Sequence, residues 1–300
     1  MKTLKSSSAS VVVTHNAGFY SCCSVRLDMI IAHYNNTGTY PSIVDSSAQF
    51  ALYKPVDNAS VDNDISGEFF VNYVGGGEKD GDSSTSRNTS TKNTTTTTTL
   101  QPQRPIEFSF YDQFTLFSLL DYAAIVPFVV RYFTPTDEIF DMCQALRKKY
   151  QLDYNNTCVL YYRGLDKCTE CRIPSYDEMF TRAFHVLQNS QRPMRLLVQS
   201  DETEFILAAQ QVFGASGIAD VIVFADETRT LPRSIAQVDK VFQNDNYNLH
   251  YAKWFLAITV TMAQCATVVC NTGNCGLWVC LFRGNARGVH QYGNGAFYVA

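Results

Sequence analysis

The sequence lacks features that are typical of several common protein classes, such as a basic excess or a long apolar run. Only 17% of its 300 residues are charged, and 24 Lys and Arg against 28 Asp and Glu give a net charge of -4. Without a basic excess, the chain has no general electrostatic attraction for nucleic acid or an anionic membrane surface. No apolar run approaches the ~18 residues that a membrane helix needs. We therefore expect no nucleic-acid partner and no membrane span. Because the chain has no net positive charge, binding of a phosphorylated ligand would depend on local Arg and Lys side chains.

Several catalytic and targeting motifs are also missing. There is no Walker A loop and no Ser-His-Asp arrangement, and the five histidines show no metal-ligand spacing. The polar start leads only into Val11-Val-Val, which is too short for the apolar region of a signal peptide. We expect a soluble cytoplasmic protein whose ten cysteines are thiols rather than a disulfide framework.

Two patterns with metal-binding potential are better explained otherwise. Cys168-Thr-Glu-Cys171 is a C-x-x-C, but the later cysteines are spaced too widely to supply the second tight pair of a zinc site. Asp62-Asn-Asp64 and Asp80-Gly-Asp82 match the acidic D-x-D of metal-dependent glycosyltransferases, yet neither follows a convincing buried strand. We interpret both acidic pairs as loops, and predict no metal and no cofactor.

Residues 75–104 divide the chain. They are rich in Gly, Ser, Asn and Thr, include six consecutive threonines from Thr94 to Thr99, and contain almost no apolar side chains. Such a segment buries too little surface to offset its ordering entropy, so we predict a disordered insert. It separates a first half, residues 1–74 and 105–149, from a second half, residues 150–300.

Strands alternate with helices along most of the chain. In the first half we predict a strand at Val11–Thr14, a helix around Val25–His33, a strand at Ser42–Val44, helical segments from Phe108 to Tyr132 interrupted by Pro127, and a helix over 136–149. In the second half the predicted strands are 159–162, 194–199, 221–224 and 267–270, with helices from 175 to 188, 203 to 213 and 247 to 264 and another after Asn274. This alternation predicts an α/β fold with a doubly wound parallel sheet.

Three of the second-half strands end in polar clusters, at Arg163, at Ser200-Asp201 and at Asn271-Thr272-Gly273. The carboxyl ends of parallel strands share one edge, where ligands bind, so these clusters can converge. A guanidinium such as that of Arg163 suits a phosphate, and a helix starting at Gly273-Asn274 favours an anion. The glycine loop at Gly18 precedes another helix. A mixed-charge surface loop at Arg163 and an ordinary strand–helix turn at Gly18 remain open as alternatives.

These residues resemble a known family. Tyr162-Arg163-Gly-Leu-Asp166-Lys167-x-x-Glu170 is similar to the H-x-R-R-x-D-K-x-x-x-E segment of α1,6-fucosyltransferases and protein O-fucosyltransferases. Leu197–Glu202 resembles their strand ending in Thr-Asp-Asp, and Val268–Asn274 resembles their strand before a Ser-rich turn. The loop from His15 to Leu27 is similar to their G-x-G-x-x-x-x-L-H segment. An arrangement of this kind, insert included, would be in keeping with a large DNA virus.

The resemblance implies a GT-B fold: two Rossmann-like halves, the second of which binds GDP-fucose while the first faces a glycan or protein acceptor. It implies inverting, metal-independent transfer, in which Arg163 stabilises the departing β-phosphate. Glu170 is the nearest match to a general base, with Lys167 as its orienting partner. The donor-binding residues that follow from these segments are Gly18, Tyr20, Ser21, Tyr161, Arg163, Asp166, Ser200, Asp201, Asn271, Thr272, Gly273 and Asn274.

The sequence departs from the family pattern at three places. Tyr161 stands where the family has histidine, Gly164 stands where it has a second arginine, and Glu170 follows Lys167 one residue sooner. These differences leave an alternative: a catalytically inactive GT-B-like scaffold that binds a glycan or nucleotide.

Overall fold

The computed structural model describes residues 10–55, 63–71, 104–233 and 247–300. Apart from Arg104, the insert predicted to be disordered lies outside the described residues. The same holds for Asp62 and for the Asp80-Gly-Asp82 pair.

The described residues form an α/β fold with mostly parallel sheets, as predicted. The strands are β1 (Ser10–Val12), β2 (Ile43–Asp45), β3 (Thr157–Tyr162), β4 (Arg195–Ser200), β5 (Val221–Val223), β6 (Thr267–Asn271), β7 (Val289–Gly293) and β8 (Ala296–Val299). A six-stranded sheet has the order β5-β4-β3-β6-β7-β8, in which β8 alone is antiparallel to its neighbour. β1 and β2 form a separate parallel pair. The sequence analysis did not predict β7 and β8.

The helices are α1 (Phe19–Thr37), α2 (Tyr122–Tyr132), α3 (Asp137–Lys149), α4 (Tyr176–Gln188), α5 (Thr203–Ser216), α6 (Tyr247–Gln264) and α7 (Asn274–Arg283). A capping box starts α4, where Ser175 and Glu178 satisfy each other's backbone N–H groups. In the described part of the chain, no helix combines the length and hydropathy needed to cross a membrane.

Two predicted helix boundaries were wrong. Helix α1 begins at Phe19, earlier than expected, because its first turns are buried through Phe19, Tyr20, Cys22 and Cys23 rather than exposed. Pro127 lies inside α2 instead of interrupting it. A proline removes one hydrogen bond from a helix interior, but the buried face of α2 continues on both sides of it and holds the helix together. The segment before α2 forms short 3₁₀ turns at Phe110–Phe114 and Phe117–Leu119.

Strand β3 is buried along its whole length, with side chains packed on both faces, which explains its continuous run of mostly apolar residues. Alternate residues of β3 point to opposite sides. Val159 and Tyr161 join a core with side chains of α1, α2, α3, α6 and α7. Cys158, Leu160 and Tyr162 join a second core with side chains of α4 and α5. The strand ends that carry the polar clusters are therefore fixed by packing on both sides.

His290 on β7 makes the protein sensitive to acid. Burial and then the nearby Arg182 and His185 lower the pKa of His290 from 6.5 to about 4. Between these two values the unfolded chain binds more protons than the folded one, so stability falls as pH drops from 6.5 towards 4. We expect His290→Asn to flatten this part of the melting-temperature profile. A profile as steep as that of the wild-type protein would contradict this assignment.

Candidate functional site

A pocket of about 360 Å³ opens at the carboxyl ends of β3 and β6. Five parts of the chain surround it: the start of α1, the 3₁₀ turn Phe110–Phe114, the end of β3 with the loop after it, Phe255 of α6, and the start of α7 with the residues before it. Its polar lining comprises Ser21, Gln113, Tyr161, Arg163, Asp166, Lys167, Glu170, Thr272 and Asn274. Residues that are far apart in sequence therefore meet at one edge of the sheet, as the convergence of strand ends predicts.

Two helices begin at this pocket. The first N–H groups of any α-helix lack intrahelical acceptors, and the helix dipole makes this end attractive to anions. The starts of α1 and α7 are held together by Ser24, which donates to Asn274 Oδ1 at 2.8 Å. Ser24 also accepts from Trp278 Nε1 at 2.9 Å. This buried contact explains how two distant segments present their N-termini to one cavity.

The start of α7 requires glycine at position 273. Its φ of +144° and ψ of 168° lie in a region that essentially only glycine occupies. A Cβ atom built on Gly273 would also lie 3.1 Å from Lys167 Cε. The glycine therefore lets the helix N-terminus and the lysine side chain approach each other.

Lys167 is one of two cations in the pocket lining. The residue is only 5% exposed, and Nζ donates to Gln113 Oε1 at 3.0 Å and to Glu170 Oε2 at 2.6 Å. The ammonium also lies 4.6 Å from the centre of the Phe114 ring. Glu170 itself is much more open, with 43% of its side chain exposed. The pair thus places a fixed ammonium inside the pocket and a carboxylate nearer its mouth.

Arg163 is the second cation, and carboxylates already surround it. Nη1 forms an ion pair with Asp201, and Nη2 forms another with Asp166. Arg163 is 28% exposed at the side chain and lines the pocket. An anion that binds here must share the guanidinium with these carboxylates or displace one of them.

A smaller cavity of about 80 Å³ adjoins the first and shares Tyr161, Arg163 and Phe255 with it. Ser200 and Asp201 line this cavity, together with Gln199. Gln199 is 3% exposed, and its Nε2 has no hydrogen-bond partner among the described residues. Tyr161 is buried, and burial raises the pKa of its phenol well above the usual value. The phenol is therefore neutral and offers a hydrogen bond instead of a charge.

Asn271 alone of the predicted site residues lines neither cavity. Its Oδ1 accepts from Arg163 N and its Nδ2 donates to Arg163 O, both at 2.8 Å. Its partners in the structure are thus backbone atoms of the arginine loop. The others line one or both cavities: Gly18, Tyr20, Ser21, Tyr161, Arg163, Asp166, Lys167, Glu170, Ser200, Asp201, Thr272, Gly273 and Asn274.

Sequence reasoning missed the contribution of the segment that follows the insert. Phe110, Gln113 and Phe114 line the main pocket, and Gln113 holds Lys167. A local signal was present, because Ser109 and Asp112 form a capping box that starts this turn. The positions of Ser24 and Gln199 had no comparable signal, since each looks like an ordinary polar residue within a helix or strand.

Asp64, Cys168 and Cys171 are the residues of the patterns with metal-binding potential that the structure describes. Asp64 accepts from Ser46 N at 2.9 Å and from Ser66 N at 2.8 Å, so its carboxylate caps backbone N–H groups. In this part of the chain, no group of three or more His, Cys, Asp and Glu side chains is arranged to hold a metal ion. Cys168 and Cys171 form no disulfide.

Comparison with solved structures finds fucosyltransferases. The chain is similar to NodZ α1,6-fucosyltransferase co-crystallised with GDP (13% identity, TM-score 0.38, covering 57% of this chain and 50% of that one). It is similar to NodZ soaked with GDP-fucose (14%, 0.39, 57% and 49%) and to fucosyltransferase NodZ from Bradyrhizobium (12%, 0.38, 57% and 50%). The aligned region thus covers about half the length of those proteins. No protein-family model matches this chain, and no curated protein matches it significantly.

Proposed function

We propose that this chain is a GT-B-like glycosyltransferase that binds a nucleotide-sugar donor in the paired cavities. The observation that carries the proposal is the convergence of Arg163, Lys167 and two helix N-termini on one cavity at the carboxyl edge of a parallel sheet. Each of these features favours an anion, and a diphosphate can contact several of them at once. The adjoining cavity, with its aromatic walls and buried amide, offers room for another part of the same ligand.

The chemistry that we propose is inverting transfer of fucose from GDP-fucose without a metal ion. The bond between sugar C1 and the β-phosphate oxygen breaks, and the diphosphate leaves with the electron pair. Arg163 stabilises the negative charge that develops on it, because a cation that the fold holds at the pocket favours that charge electrostatically. The oxygen of an acceptor hydroxyl forms the new bond to C1.

The acceptor hydroxyl must lose its proton in this reaction. Glu170 is our proposed general base, because its carboxylate lies at the pocket and is open enough to meet a second substrate. Lys167 orients it through the 2.6 Å contact. Gln113 in turn holds Lys167, so this residue of the segment after the insert is part of the proposed machinery.

The alternative function is a scaffold that binds a nucleotide or glycan and does not turn it over. The ion pairs favour it: Arg163 is engaged by Asp166 and Asp201, and Glu170 is engaged by Lys167. If these pairs persist with ligand bound, the cation is partly neutralised and the base is occupied. Release of free GDP on incubation with GDP-fucose and an acceptor mixture would favour the enzyme over the scaffold.

The first test is calorimetric titration of the purified protein with GDP-fucose, GDP-mannose, GDP and UDP-sugars, with and without EDTA. We expect guanosine-selective binding that survives EDTA. Arg163→Ala is expected to weaken it by roughly 10- to 150-fold, since a hydrogen bond to a charged group contributes about 1.5–3 kcal/mol.

Arg192→Ala is the matched control, because Arg192 is an exposed arginine just before β4, at the opposite edge of the sheet. It should leave the affinity unchanged. Absence of binding to every nucleotide would refute the transferase proposal. Selective binding of UDP-sugars would retain the class of enzyme and exclude fucose, whereas loss of binding in EDTA would exclude the metal-independent route.

A further inference from the structure

Three successive backbone N–H groups after β3 are each taken by a side chain from a neighbouring strand end. Arg163 N donates to Asn271 Oδ1 at 2.8 Å, and Gly164 N donates to Asp201 Oδ1 at 2.9 Å. Leu165 N donates to Glu202 Oε1 at 2.7 Å. β4 and β6 flank β3 on either side, so side chains at the ends of both neighbouring strands hold the loop. The backbone N–H groups of Arg163, Gly164 and Leu165 are therefore engaged within the protein. Arg163 contributes its side chain to the pocket lining.

Glu202 ends the segment Leu197–Glu202 but was not among the predicted donor-binding residues. Only 1% of the residue is exposed, and its second oxygen accepts a hydrogen bond from Tyr176 OH. Burying a carboxylate is costly unless its oxygens are hydrogen-bonded, so its partners explain how it is tolerated there. The nearest arginine, Arg233, lies 4.0 Å away and is mostly exposed, which makes it a weak contributor.

Glu202 also explains why position 164 is glycine. A Cβ atom built on Gly164 would lie 2.0 Å from Glu202 Oε1, which no real side chain tolerates. The next residue, Leu165, has a φ of +39°, a left-handed conformation that is unusual for leucine and needs support from its surroundings. Glu202 supplies that support through the Leu165 N–H group.

We propose that Glu202 is a positioning residue for Arg163. Its carboxylate fills the space of a side chain at position 164, fixes the turn at Leu165, and thereby directs the preceding arginine into the pocket. Glycine at position 164 and glutamate at position 202 are then one coupled feature: a side chain at 164 requires the Glu202 carboxylate to move or to be absent. The inference depends on the proposed function in one respect only, namely that Arg163 binds an anion.

The direct test measures the loop itself. In protein labelled with ¹⁵N-leucine, hydrogen exchange at Leu165 should accelerate by about tenfold or more in Glu202→Ala, because its acceptor is gone. Glu202→Gln, which keeps an acceptor oxygen, should restore most of the protection. Glu204→Ala is the control: this exposed carboxylate lies two residues further on and contacts Arg233 N instead. Unchanged Leu165 exchange in Glu202→Ala would overturn the proposal.

A second test asks whether the loop matters to the arginine. Affinity for GDP should fall by about three- to tenfold in Glu202→Ala, and by less than about twofold in Glu204→Ala. Accelerated exchange with unchanged GDP affinity would make Glu202 a structural residue only and would overturn its positioning role.

The coupling of positions 164 and 202 gives a measurement that needs no ligand. Gly164→Ala should lower the melting temperature in the wild-type background and have little effect in a Glu202→Ala background, because the collision is then absent. Equal effects in both backgrounds would overturn the coupling. If the wild-type protein binds no GDP, the proposed function fails, while amide exchange and this cycle still decide whether Glu202 fixes the loop. If Glu202→Ala does not fold, two other observations decide whether Glu202 fixes the loop. These are the Leu165 exchange rate in Glu202→Gln and a failure of Gly164→Ala to fold.

Discussion

Replacing Trp278 by alanine is expected to lower the free energy of unfolding by about 3–5 kcal/mol. Trp278 is 0% exposed, and its ring lies 4.8 Å from that of Phe133 and 5.9 Å from that of Tyr20 between centroids. Truncation removes these contacts and leaves a cavity where α1, α2 and α7 meet. It also removes the indole N–H that Ser24 accepts, and with it part of the link between the two helix N-termini. Urea unfolding followed by circular dichroism measures the effect.

Trp278→Phe separates packing from hydrogen bonding. This variant keeps most of the ring volume and loses the N–H group, so we expect a smaller loss of about 1–2 kcal/mol. Val130→Ala is the surface control, because Val130 lies on the adjacent helix α2 and is 63% exposed. A loss of stability in Trp278→Ala no larger than that in Val130→Ala would contradict the central position of Trp278 in the core.

Replacing Gly273 by alanine is expected to damage the site as well as the fold. The backbone conformation at Gly273 costs any other residue on the order of 1–3 kcal/mol. The added methyl group would also lie 3.1 Å from Lys167 Cε, so this side chain must shift by a few tenths of an ångström beside its contacts with Gln113 and Glu170. If the displacement of the ammonium weakens the binding free energy for GDP by about 1.4 kcal/mol, the affinity falls about tenfold, which calorimetry would detect.

Gly214→Ala is the matched control for this substitution. Gly214 lies within α5, and an added Cβ would meet no atom within 4 Å. Alanine is the better helix former, so we expect a gain of about 0.5–1 kcal/mol and unchanged ligand binding. The same chemical change should thus have opposite effects on stability at the two positions. Equal melting temperatures and affinities for both variants would contradict the role assigned to Gly273.

The fold of the second half was largely predictable, since β3, β4 and β6 are mostly buried and α4 has a capping box and an amphipathic face. The failures have physical causes. β7 contains His, Gln, Tyr and Gly in place of an apolar run, and its pairing with β6 makes it a strand. β8 is only four residues long and pairs with β7. Pro127 looked like an interruption because propensity ignores the tertiary packing that holds both parts of α2.

The candidate site was predictable as a set of strand ends, because parallel strands bring their carboxyl ends to one edge of the sheet. The partners of each side chain were not. Gln113 reaches Lys167 from 54 residues away along the chain, and Ser24 reaches Asn274 from 250 residues away. No local pattern encodes such contacts, since they arise only when separate elements pack.

Arg163 as a phosphate-binding residue and Lys167 as the orienting partner of Glu170 stay predictions. What the sequence by itself determined is the class of fold and the edge of the sheet at which the polar residues meet. Periodicity and residue type suffice for these conclusions, because strand burial and helix capping are local. Only the tertiary structure decided that carboxylates surround Arg163, that Asn271 binds backbone, and that Gly164 leaves room for Glu202. These relations depend on distances of a few ångströms between neighbouring strands, which packing of the whole chain sets.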